Sequence, residues 1–274
     1  PLILPLRNPS RAPRLPGCEP RPFSYGDFEL AREALQGVDA LFMVSAAESP
    51  TREQEHLTLV RAAQAAGIQH LVYLSFAEAR PDSTFTLART HAVTEEAIRR
   101  STMKYTFVRD NFYSELMAWL ADAEGVICGP AEQGRVACVA QRDAAQAVAN
   151  IMADIAAGGT QHQGRTYTLT GSQSLSMEDI ARILTTCTGK PHRFHNETIA
   201  EAFASRRAAY PDTPDWEIEA WVSTYTAIAK GELAQVTQDL PRLIGREPLT
   251  FEQVVTELAN SPAAVSAPRD SGKP

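Results

Sequence analysis

The sequence lacks the features that mark several large classes of protein. Its four cysteines form no CxxC pair and no metal-ligand spacing, which predicts reduced thiols and a cytoplasmic location. No run approaches the roughly 20 consecutive apolar residues of a membrane-spanning helix, and no signal-peptide pattern is present. Acidic residues outnumber basic ones, and the net charge of -7 argues against binding a nucleic-acid backbone. We therefore expect neither a membrane nor a nucleic acid as partner.

Two common catalytic arrangements are absent as well. His192 and His195 lie close together, but no cysteine or carboxylate near them completes a metal-binding set, so no metal is expected. No G-x-S-x-G elbow, the turn that presents a nucleophilic serine in many hydrolases, occurs anywhere. What the 274 residues do contain is enough apolar sequence, 44% of the total, to bury a sizeable core.

Apolar runs and amphipathic stretches alternate through the first 110 residues. Helices are predicted between the runs, and Thr51, Gln54 and Gly67 predict the capped start and the end of the second one. Strands and helices that alternate in this way form parallel sheets through right-handed crossovers. The fold class is therefore α/β. The predicted strands of this part cover residues 2–6, 40–45, 70–75 and 104–109.

After residue 110 the elements become shorter. We predict a sheet-forming first part over residues 1–110, a second part over 111–260 that is interleaved with the sheet, and a disordered tail over 261–274. Ser176 and Asp179 predict a capped helix, and a break at Pro211 and Pro214 divides the mostly helical segment 198–230. The short strands predicted here lie within 124–129, 135–140 and 165–171, and a last helix begins near Thr250.

Several segments, taken in order, carry a family resemblance. They are "LRNPSRAPRL", "SYGDFE", "LQGVDALFMVSA", "AAQAAGIQHLVYLS", "VRDNFYSE" and "YTLTGSQSLSMEDIARIL". The set resembles the NmrA-like proteins, which are atypical short-chain dehydrogenases/reductases, and within them the NAD(P)H:quinone oxidoreductase branch. The resemblance runs from residue 2 to about residue 258. It implies a Rossmann-like sheet with a smaller C-terminal substrate subdomain.

The resemblance implies an activity and leaves two alternatives open. The implied activity is NAD(P)H-dependent reduction of a quinone or another small conjugated carbonyl. The first alternative is a regulator that senses NADP(H) without chemistry, and the second is a scaffold that binds no dinucleotide. The implied protein partners are a second copy of the chain, in a homodimer, or the protein that such a regulator controls.

The family's glycine-rich turn is not in this sequence. None of the 15 glycines forms GxGxxG or GxxGxxG between a strand and a helix. By resemblance, "LILPLRNP" corresponds to the second strand of a Rossmann sheet, so we expect a truncated form of a longer protein rather than a rearranged sheet. In the strand order 3-2-1-4-5-6 the first strand is central. Its absence is expected to separate the second and third strands from the rest and to leave backbone groups unpaired.

The resemblance assigns residues to the adenosine end of a dinucleotide. Arg7 and Asn8 follow the second strand, where a basic residue pairs with a 2'-phosphate, so NADP(H) is favoured over NAD(H). The alternative for Arg7 is a solvated loop side chain. Asp27 and Phe28 resemble residues that border the adenine, and Asp27 is equally suited to cap the helix that follows.

Further candidates lie where predicted strands end. Ser45 and Ala46 are small enough for a ribose to pass close to the backbone, or they are plain turn residues. Ser75 corresponds to the hydroxyl that orients substrate in conventional short-chain reductases. Leu87 and His91 stand where those enzymes have the Tyr and Lys of Tyr-x-x-x-Lys, so hydride transfer cannot use the usual tyrosine as its acid.

His91 and Tyr113 are the predicted catalytic residues. The predicted role of the His91 imidazole is to form a hydrogen bond with the nicotinamide ribose or to donate a proton near neutral pH. The alternative is that His91 is a structural or solvent-facing histidine of its helix. Glu95 shares its helix face and either orients the ring or pairs with Arg99.

The segment "RDNFYSE" follows the strand at 104–109. Asp110 departs from the proline that the family often has there. Asn111 and Phe112 are predicted to wall the nicotinamide pocket, and Tyr113 offers a flat apolar face with a polar tip to an aromatic substrate. Packing between domains is the alternative for all three.

Overall fold

A computed structural model of the protein describes residues 2–260, so the tail predicted at 261–274 lies outside the described residues. The described chain forms two compact units. Unit 1 comprises residues 2–75, 90–108 and 151–166. Unit 2 comprises residues 76–89, 109–150 and 167–260.

The elements follow one another along the chain as short strands and mostly longer helices. The strands are β1 (Leu2–Leu6), β2 (Cys18–Pro22), β3 (Ala40–Met43), β4 (His70–Phe76), β5 (Lys104–Asp110), β6 (Val126–Gly129), β7 (Arg135–Val136), β8 (Arg165–Leu169), β9 (Leu175–Ser176) and β10 (Arg193–Asn196). The α-helices are α1 (Phe28–Ala34), α2 (Arg52–Ala66), α3 (Thr86–Arg100), α4 (Ser114–Ala118), α5 (Gln141–Ala156), α6 (Met177–Thr188), α7 (Ile199–Ala209), α8 (Asp215–Ala229), α9 (Asp239–Ile244) and α10 (Phe251–Asn260).

The four strands predicted from apolar runs in the first part are confirmed as β1, β3, β4 and β5. β3 is shorter than predicted and ends at Met43, and just beyond it the carbonyl of Val44 accepts a hydrogen bond from the Tyr25 hydroxyl (2.7 Å). β2 and β10 were not predicted. Their sequences, CEPRP and RFHN, have no continuous apolar run, and they are strands because each pairs with a parallel partner strand.

The strands form several sheets. β1 and β2 make a parallel pair of their own, separate from a four-stranded sheet in the order β3-β4-β5-β8. β3 and β4 are parallel, β10 and β6 form another parallel pair, and β7 and β9 are antiparallel. The predicted separation of the second and third Rossmann strands from the rest is therefore confirmed.

The ends of the helices confirm two of the predicted capping and stop signals and show that a third is wrong. Ser176 and Asp179 form the predicted capping box of α6, and Gly67 ends α2 in a left-handed conformation (φ 87°). The cap predicted from Thr51 and Gln54 is wrong. The Thr51 hydroxyl donates to the Glu55 side chain (3.0 Å) because Thr51 has helical backbone angles, which turn its side chain away from the first free amides.

Each unit has its own core. In unit 1, Leu71 and Tyr73 of β4 and Phe107 of β5 are fully buried together with Leu59 of α2 and Ile98 of α3. Burying a side chain of that size stabilises the folded state by roughly 1.5–3 kcal/mol. The core of unit 2 includes a triangle of Phe76, Phe85 and Phe112, whose ring centroids lie 5.0–5.1 Å apart.

Candidate functional site

A set of buried polar side chains, each hydrogen-bonded to a neighbour, lies at the ends of β3 and β4 in unit 1. Its members come from the β3–α2 loop, from β4 and from helices α2 and α3. Ligands of open α/β sheets bind beyond the carboxyl ends of the strands, so this is the expected place for a site. The buried members are Arg52, His56, Tyr73, Ser75, His91, Thr94 and Glu95, and Ala46 joins them through its backbone amide.

His56 holds the loop that follows β3. The backbone amide of Ala46 donates to His56 Nε2 (2.9 Å), so the ring proton lies on Nδ1 and is donated to Thr94 Oγ1 (2.8 Å). Burial, with the Arg52 charge nearby, lowers the pKa of His56 to about 3. The ring is therefore neutral at physiological pH, and both of its nitrogens have partners inside the protein.

His91 lies between a guanidinium and a phenol. Arg52 Nη2 donates to His91 Nε2 (2.9 Å), so Nδ1 carries the proton and donates to the Tyr73 hydroxyl oxygen (2.9 Å). Burial raises the pKa of Tyr73 and lowers the pKa of Arg52. Both ring nitrogens are thus engaged, and the catalytic role predicted for His91 requires one of these bonds to open.

Ser75 and Glu95 form the next part of the set. The Ser75 hydroxyl donates to Glu95 Oε1 (2.6 Å), and Arg99 Nη2 donates to Glu95 Oε2 (2.7 Å). The Glu95 side chain is only 1% exposed, and a buried carboxylate needs such partners. Of the two roles open to Glu95, the pairing with Arg99 is present.

Arg7 and Asn8 are exposed at the end of β1. The Asn8 side chain accepts from the amide of Ser10 (3.1 Å) and caps a short 3-10 helix over Pro9–Arg11. Among residues 2–260, no carboxylate forms an ion pair with Arg7. Burial raises the pKa of Tyr25 to about 12 against the opposing charges of Arg52 and Arg7, so Arg7 lies close enough to act on that phenol.

The other adenosine-end candidates also lie in unit 1. Asp27 Oδ1 accepts from the amide of Leu30 (3.0 Å), so the capping role considered for Asp27 is present. Phe28 is half-buried against the unit 1 core. Ser45 is half-buried just past β3, and Ala46 is held by His56. Their proposed contacts with a dinucleotide stay predictions.

Asp110 and Tyr113 form a buried pair in unit 2. The Tyr113 hydroxyl donates to Asp110 Oδ2 in a short hydrogen bond. Burial raises the pKa of Asp110 to about 7, although the bond from Tyr113 acts in the opposite direction. Burial, and then the Asp110 charge, raise the pKa of Tyr113. A carboxyl that titrates near neutral pH therefore lies against the predicted catalytic phenol.

Asn111 and Phe112 are engaged in the interior of unit 2. Asn111 Nδ2 donates to the carbonyl of Leu233 (3.0 Å), and its Oδ1 accepts from the amide of Phe112 (2.8 Å). The Phe112 ring contacts Phe76 and Phe85. These contacts make both residues part of the packing of unit 2, and their role as pocket walls stays a prediction.

Comparison with known proteins assigns the family. A model of the NmrA-like family matches residues 23–253. The chain belongs to the NmrA-like family. Quinone oxidoreductase 2 of Escherichia coli strain K12 is 31% identical over 260 residues, which cover 93% of this chain and 88% of that protein. The (4-alkanoyl-5-oxo-2,5-dihydrofuran-3-yl)methyl phosphate reductase of Streptomyces griseus is 33% identical over 261 residues, with the same shares covered.

A solved structure extends the likeness to three dimensions. The crystal structure of an NADPH-dependent quinone oxidoreductase from Escherichia coli, complexed with NADPH, superposes with a TM-score of 0.85 at 30% identity. The match covers 94% of this chain and 90% of that one. The predicted Rossmann-like α/β fold of this NmrA-like chain is therefore confirmed.

Sequence reasoning missed several members of the unit 1 site in this NmrA-like protein. They are Tyr25, Arg52, His56, Tyr73 and Thr94. A signal was available for two of them. Arg52 and His56 precede Leu59, Val60 and Ala63 on one face of α2, at the spacing that marks the buried side of a helix. Polar residues on that face predict buried hydrogen bonds, although their partners cannot be found from the spacing.

Within residues 2–260, no group of three or more His, Cys, Asp or Glu side chains is arranged to hold a metal ion. In the same range, no helix has both the length and the apolar character needed to cross a membrane.

Proposed function

We propose that this NmrA-like chain is an NADP(H)-dependent oxidoreductase that reduces a quinone or another small conjugated carbonyl. The observation that carries the proposal is its similarity, along 94% of its length, to a quinone oxidoreductase whose structure contains NADPH. The curated reductases that it resembles over 93% of its length support the same reaction class.

The residues at the end of β1 fit the adenosine end of NADP(H). Arg7 is exposed and has no carboxylate partner in the described chain, so its guanidinium is free to bind a phosphate dianion. When bound, NADPH would supply a hydride, and the reduced acceptor takes up one proton. The residues proposed to hold the adenosine half are Arg7, Asn8, Asp27, Phe28, Ser45 and Ala46.

The residues proposed nearer the nicotinamide differ between the units. In unit 1 these are Ser75 and His91, and hydrogen bonds with Arg52 and Tyr73 hold the His91 ring in its orientation. In unit 2 these are Asn111, Phe112 and Tyr113, and Tyr113 offers a flat ring to a planar acceptor. We propose His91 and Tyr113 as the catalytic residues, with water as the other proton source.

Turnover with a quinone panel tests the proposed reaction. Purified protein mixed with NADPH and a series of benzoquinones and naphthoquinones is expected to consume NADPH absorbance only when a quinone is present. Calorimetry with NADPH and NADP⁺ accompanies the assay. Binding of either form without oxidation by any acceptor contradicts the reductase and supports a regulator that senses NADP(H). Absence of both binding and turnover contradicts both functions.

Arg7→Ala is expected to raise the KM for NADPH about ten- to a hundred-fold and to leave the KM for NADH unchanged. The reason is the loss of a charged hydrogen bond to the 2'-phosphate, which contributes roughly 1.5–3 kcal/mol. Arg100→Ala is the matched control, because the Arg100 side chain is 78% exposed on α3 and pairs with Glu96. Equal changes in the KM for NADPH and the KM for NADH would show that Arg7 does not bind the 2'-phosphate.

We also propose that the protein acts in the cytoplasm, since its four cysteines are free thiols and a reducing compartment keeps them so. The assembly we propose is a homodimer, with a regulatory protein partner as the alternative. Light scattering on the purified chain distinguishes a dimer from a monomer.

A further inference from the structure

Asp110 is a buried residue at the end of β5, in unit 2. Only 7% of it is exposed, and its backbone carbonyl accepts a hydrogen bond from the amide of Ala77 (2.7 Å). The next residue, Asn111, donates its amide to the carbonyl of Leu169 in β8 (3.1 Å). Backbone bonds on both sides therefore hold the end of β5 in place, and with it the point from which the Asp110 carboxyl projects.

The backbone around Tyr113 is held in a similar way. Tyr113 forms a parallel bridge with Val139, in which the Val139 amide donates to the carbonyl of Phe112 (3.0 Å) and the Ser114 amide donates to the carbonyl of Val139 (2.9 Å). The Tyr113 hydroxyl donates to Asp110 Oδ2, and Tyr113 is half-buried. One residue of the pair is thus almost closed to solvent, and the other is partly open to it.

The direction of the hydrogen bond between these two side chains depends on the charge of Asp110. An ionised carboxylate only accepts, so it holds the proton of the Tyr113 hydroxyl. A neutral carboxyl can donate instead, and the phenol oxygen then accepts while its own proton is free for another acceptor. Burial raises the pKa of Asp110 to about 7, so both forms are populated near neutral pH. One proton on the carboxyl thus decides whether Tyr113 can act as an acid.

Two titratable groups lie on the α4 and Cys138 sides of the phenol. Glu115 of α4 acts on the Tyr113 phenol, and its carboxylate accepts from the backbone amide of Gln141 (3.1 Å). Burial raises the pKa of the Cys138 thiol to about 11, so this thiol is neutral at physiological pH. Neither group supplies the proton that Tyr113 would need near neutral pH.

The charged groups near the ends of β4 and β5 are engaged with other partners. In the segment that follows β4, Glu78 forms an ion pair with Arg80 (3.0 Å). Arg109 precedes Asp110 in β5, so its side chain projects from the opposite face of the strand, and it donates to the carbonyl of Ala79 (3.4 Å). Among the side chains of the described chain, Tyr113 is the one that acts on the Asp110 carboxyl.

We propose that Asp110 is a positioning residue that acts through Tyr113: it passes its carboxyl proton to the phenol as the phenol protonates the reduced acceptor. This inference rests on the proposed reductase function and adds to it the source of the proton. When Asp110 is ionised, its carboxylate holds the Tyr113 hydroxyl proton and the phenol no longer serves as an acid.

The proposed step balances for a quinone acceptor. The quinone takes a hydride, with its two electrons, from NADPH, which becomes NADP⁺, and the product is a hydroquinone anion. The Tyr113 O–H bond breaks, and its proton completes the hydroquinone. The carboxyl proton of Asp110 moves to the phenolate and restores Tyr113. The carboxylate then takes up one proton from water, so one proton is consumed in each turnover.

Carbon-13 NMR of protein labelled at the tyrosine Cζ atoms tests the link between the two side chains without turnover. The Tyr113 signal, identified by its loss in Tyr113→Phe, is expected to shift with a midpoint near pH 7 in the unchanged protein. In Asp110→Asn, with folding checked by circular dichroism, it is expected to stay constant from about pH 5 to about pH 9. A Tyr113 signal that titrates equally in both proteins, or in neither, overturns the proposal.

The pH dependence of kcat with a quinone tests the relay itself. In the unchanged protein, kcat is expected to fall about ten-fold for each pH unit above about pH 7, as the carboxyl loses its proton. In Asp110→Asn, kcat at pH 6 is expected to be about a hundred-fold lower and independent of pH up to about pH 9. Asparagine still accepts the bond from Tyr113 but has no proton to pass to it.

Two further variants separate the relay from effects of charge and of stability. Glu115→Gln is the matched control, because it removes the other carboxylate that acts on the phenol, and it is expected to keep the fall in kcat. Tyr113→Phe keeps the buried carboxyl but lacks the phenol, so it is expected to have a low kcat without the fall. A fall that persists in Tyr113→Phe reflects unfolding and overturns the relay.

The same assay distinguishes failure of the relay from failure of the reductase function. If Asp110→Asn turns over with the pH profile of the unchanged protein, the relay is overturned and the reductase function stands. If the unchanged protein reduces no quinone at any pH, the reductase function and the relay are both overturned.

Discussion

Replacing His56 with glutamine is expected to make the protein less sensitive to acid. The unfolding free energy falls as the pH falls from about 7.5 to about 4, and the variant is expected to lose about 3 kcal/mol less of it than the unchanged protein. Folded His56 has a pKa of about 3 because it is buried and lies near Arg52, whereas the ordinary value is 6.5. Between these values the unfolded chain binds one more proton than the folded chain, so stability falls as the pH falls through this window. Glutamine keeps both bonds, accepting from Ala46 and donating to Thr94.

Urea unfolding at the two pH values checks this prediction, followed by circular dichroism and by amide exchange in β4, which reports on unit 1. His195→Gln is the control, because His195 is exposed in β10 and its replacement leaves the buried network intact. If the unchanged protein and His56→Gln lose equal stability on acidification, His56 is not the buried neutral histidine described above.

The unchanged protein is expected to lose about 3 kcal/mol of unfolding free energy as the pH rises from about 5 to about 8, and Asp110→Asn is expected to abolish this loss. Burial raises the pKa of folded Asp110 to about 7 from its ordinary value of 3.8. Between those values the folded chain binds more protons than the unfolded chain, so stability falls as the pH rises, opposite to the effect of His56. Asparagine does not ionise, and its carbonyl oxygen still accepts the bond from Tyr113.

Tryptophan fluorescence during urea unfolding measures this effect, because Trp119, Trp216 and Trp221 all lie in unit 2. Asp82→Asn is the control, since the Asp82 side chain is 82% exposed. Any fixed cost of burying the new amide is the same at each pH and leaves the slope unaffected. Parallel pH profiles for the unchanged protein and Asp110→Asn would mean that Asp110 is already ionised at pH 5.

The strands that sequence predicted and those that it missed differ in what stabilises them. β3 and β4 are apolar runs, which composition alone reveals, and β4 is buried along nearly its whole length. β2, with the sequence CEPRP, is a strand only because β1 lies beside it. Pairing between distant segments depends on the whole arrangement, and the composition of one segment does not reveal it.

The candidate site divides in the same way. Arg7 was predicted from the family resemblance at the end of the strand over residues 2–6, and both are features of continuous sequence. Arg52 of α2 and His91 of α3 are 39 residues apart and form a hydrogen bond in the folded protein. No pattern within either segment could have predicted this bond. The raised pKa of Asp110 arises from burial, and the sequence showed only that this residue departs from the family's usual proline.

By itself the sequence determined the α/β class and the family. Apolar periodicity and motif order suffice for these because they are properties of continuous segments. Tertiary structure alone decided which buried side chains contact one another, that His56 is neutral, and that the Asp110 carboxyl titrates near neutral pH. Those properties depend on distances and burial, which arise only when segments remote in sequence pack together.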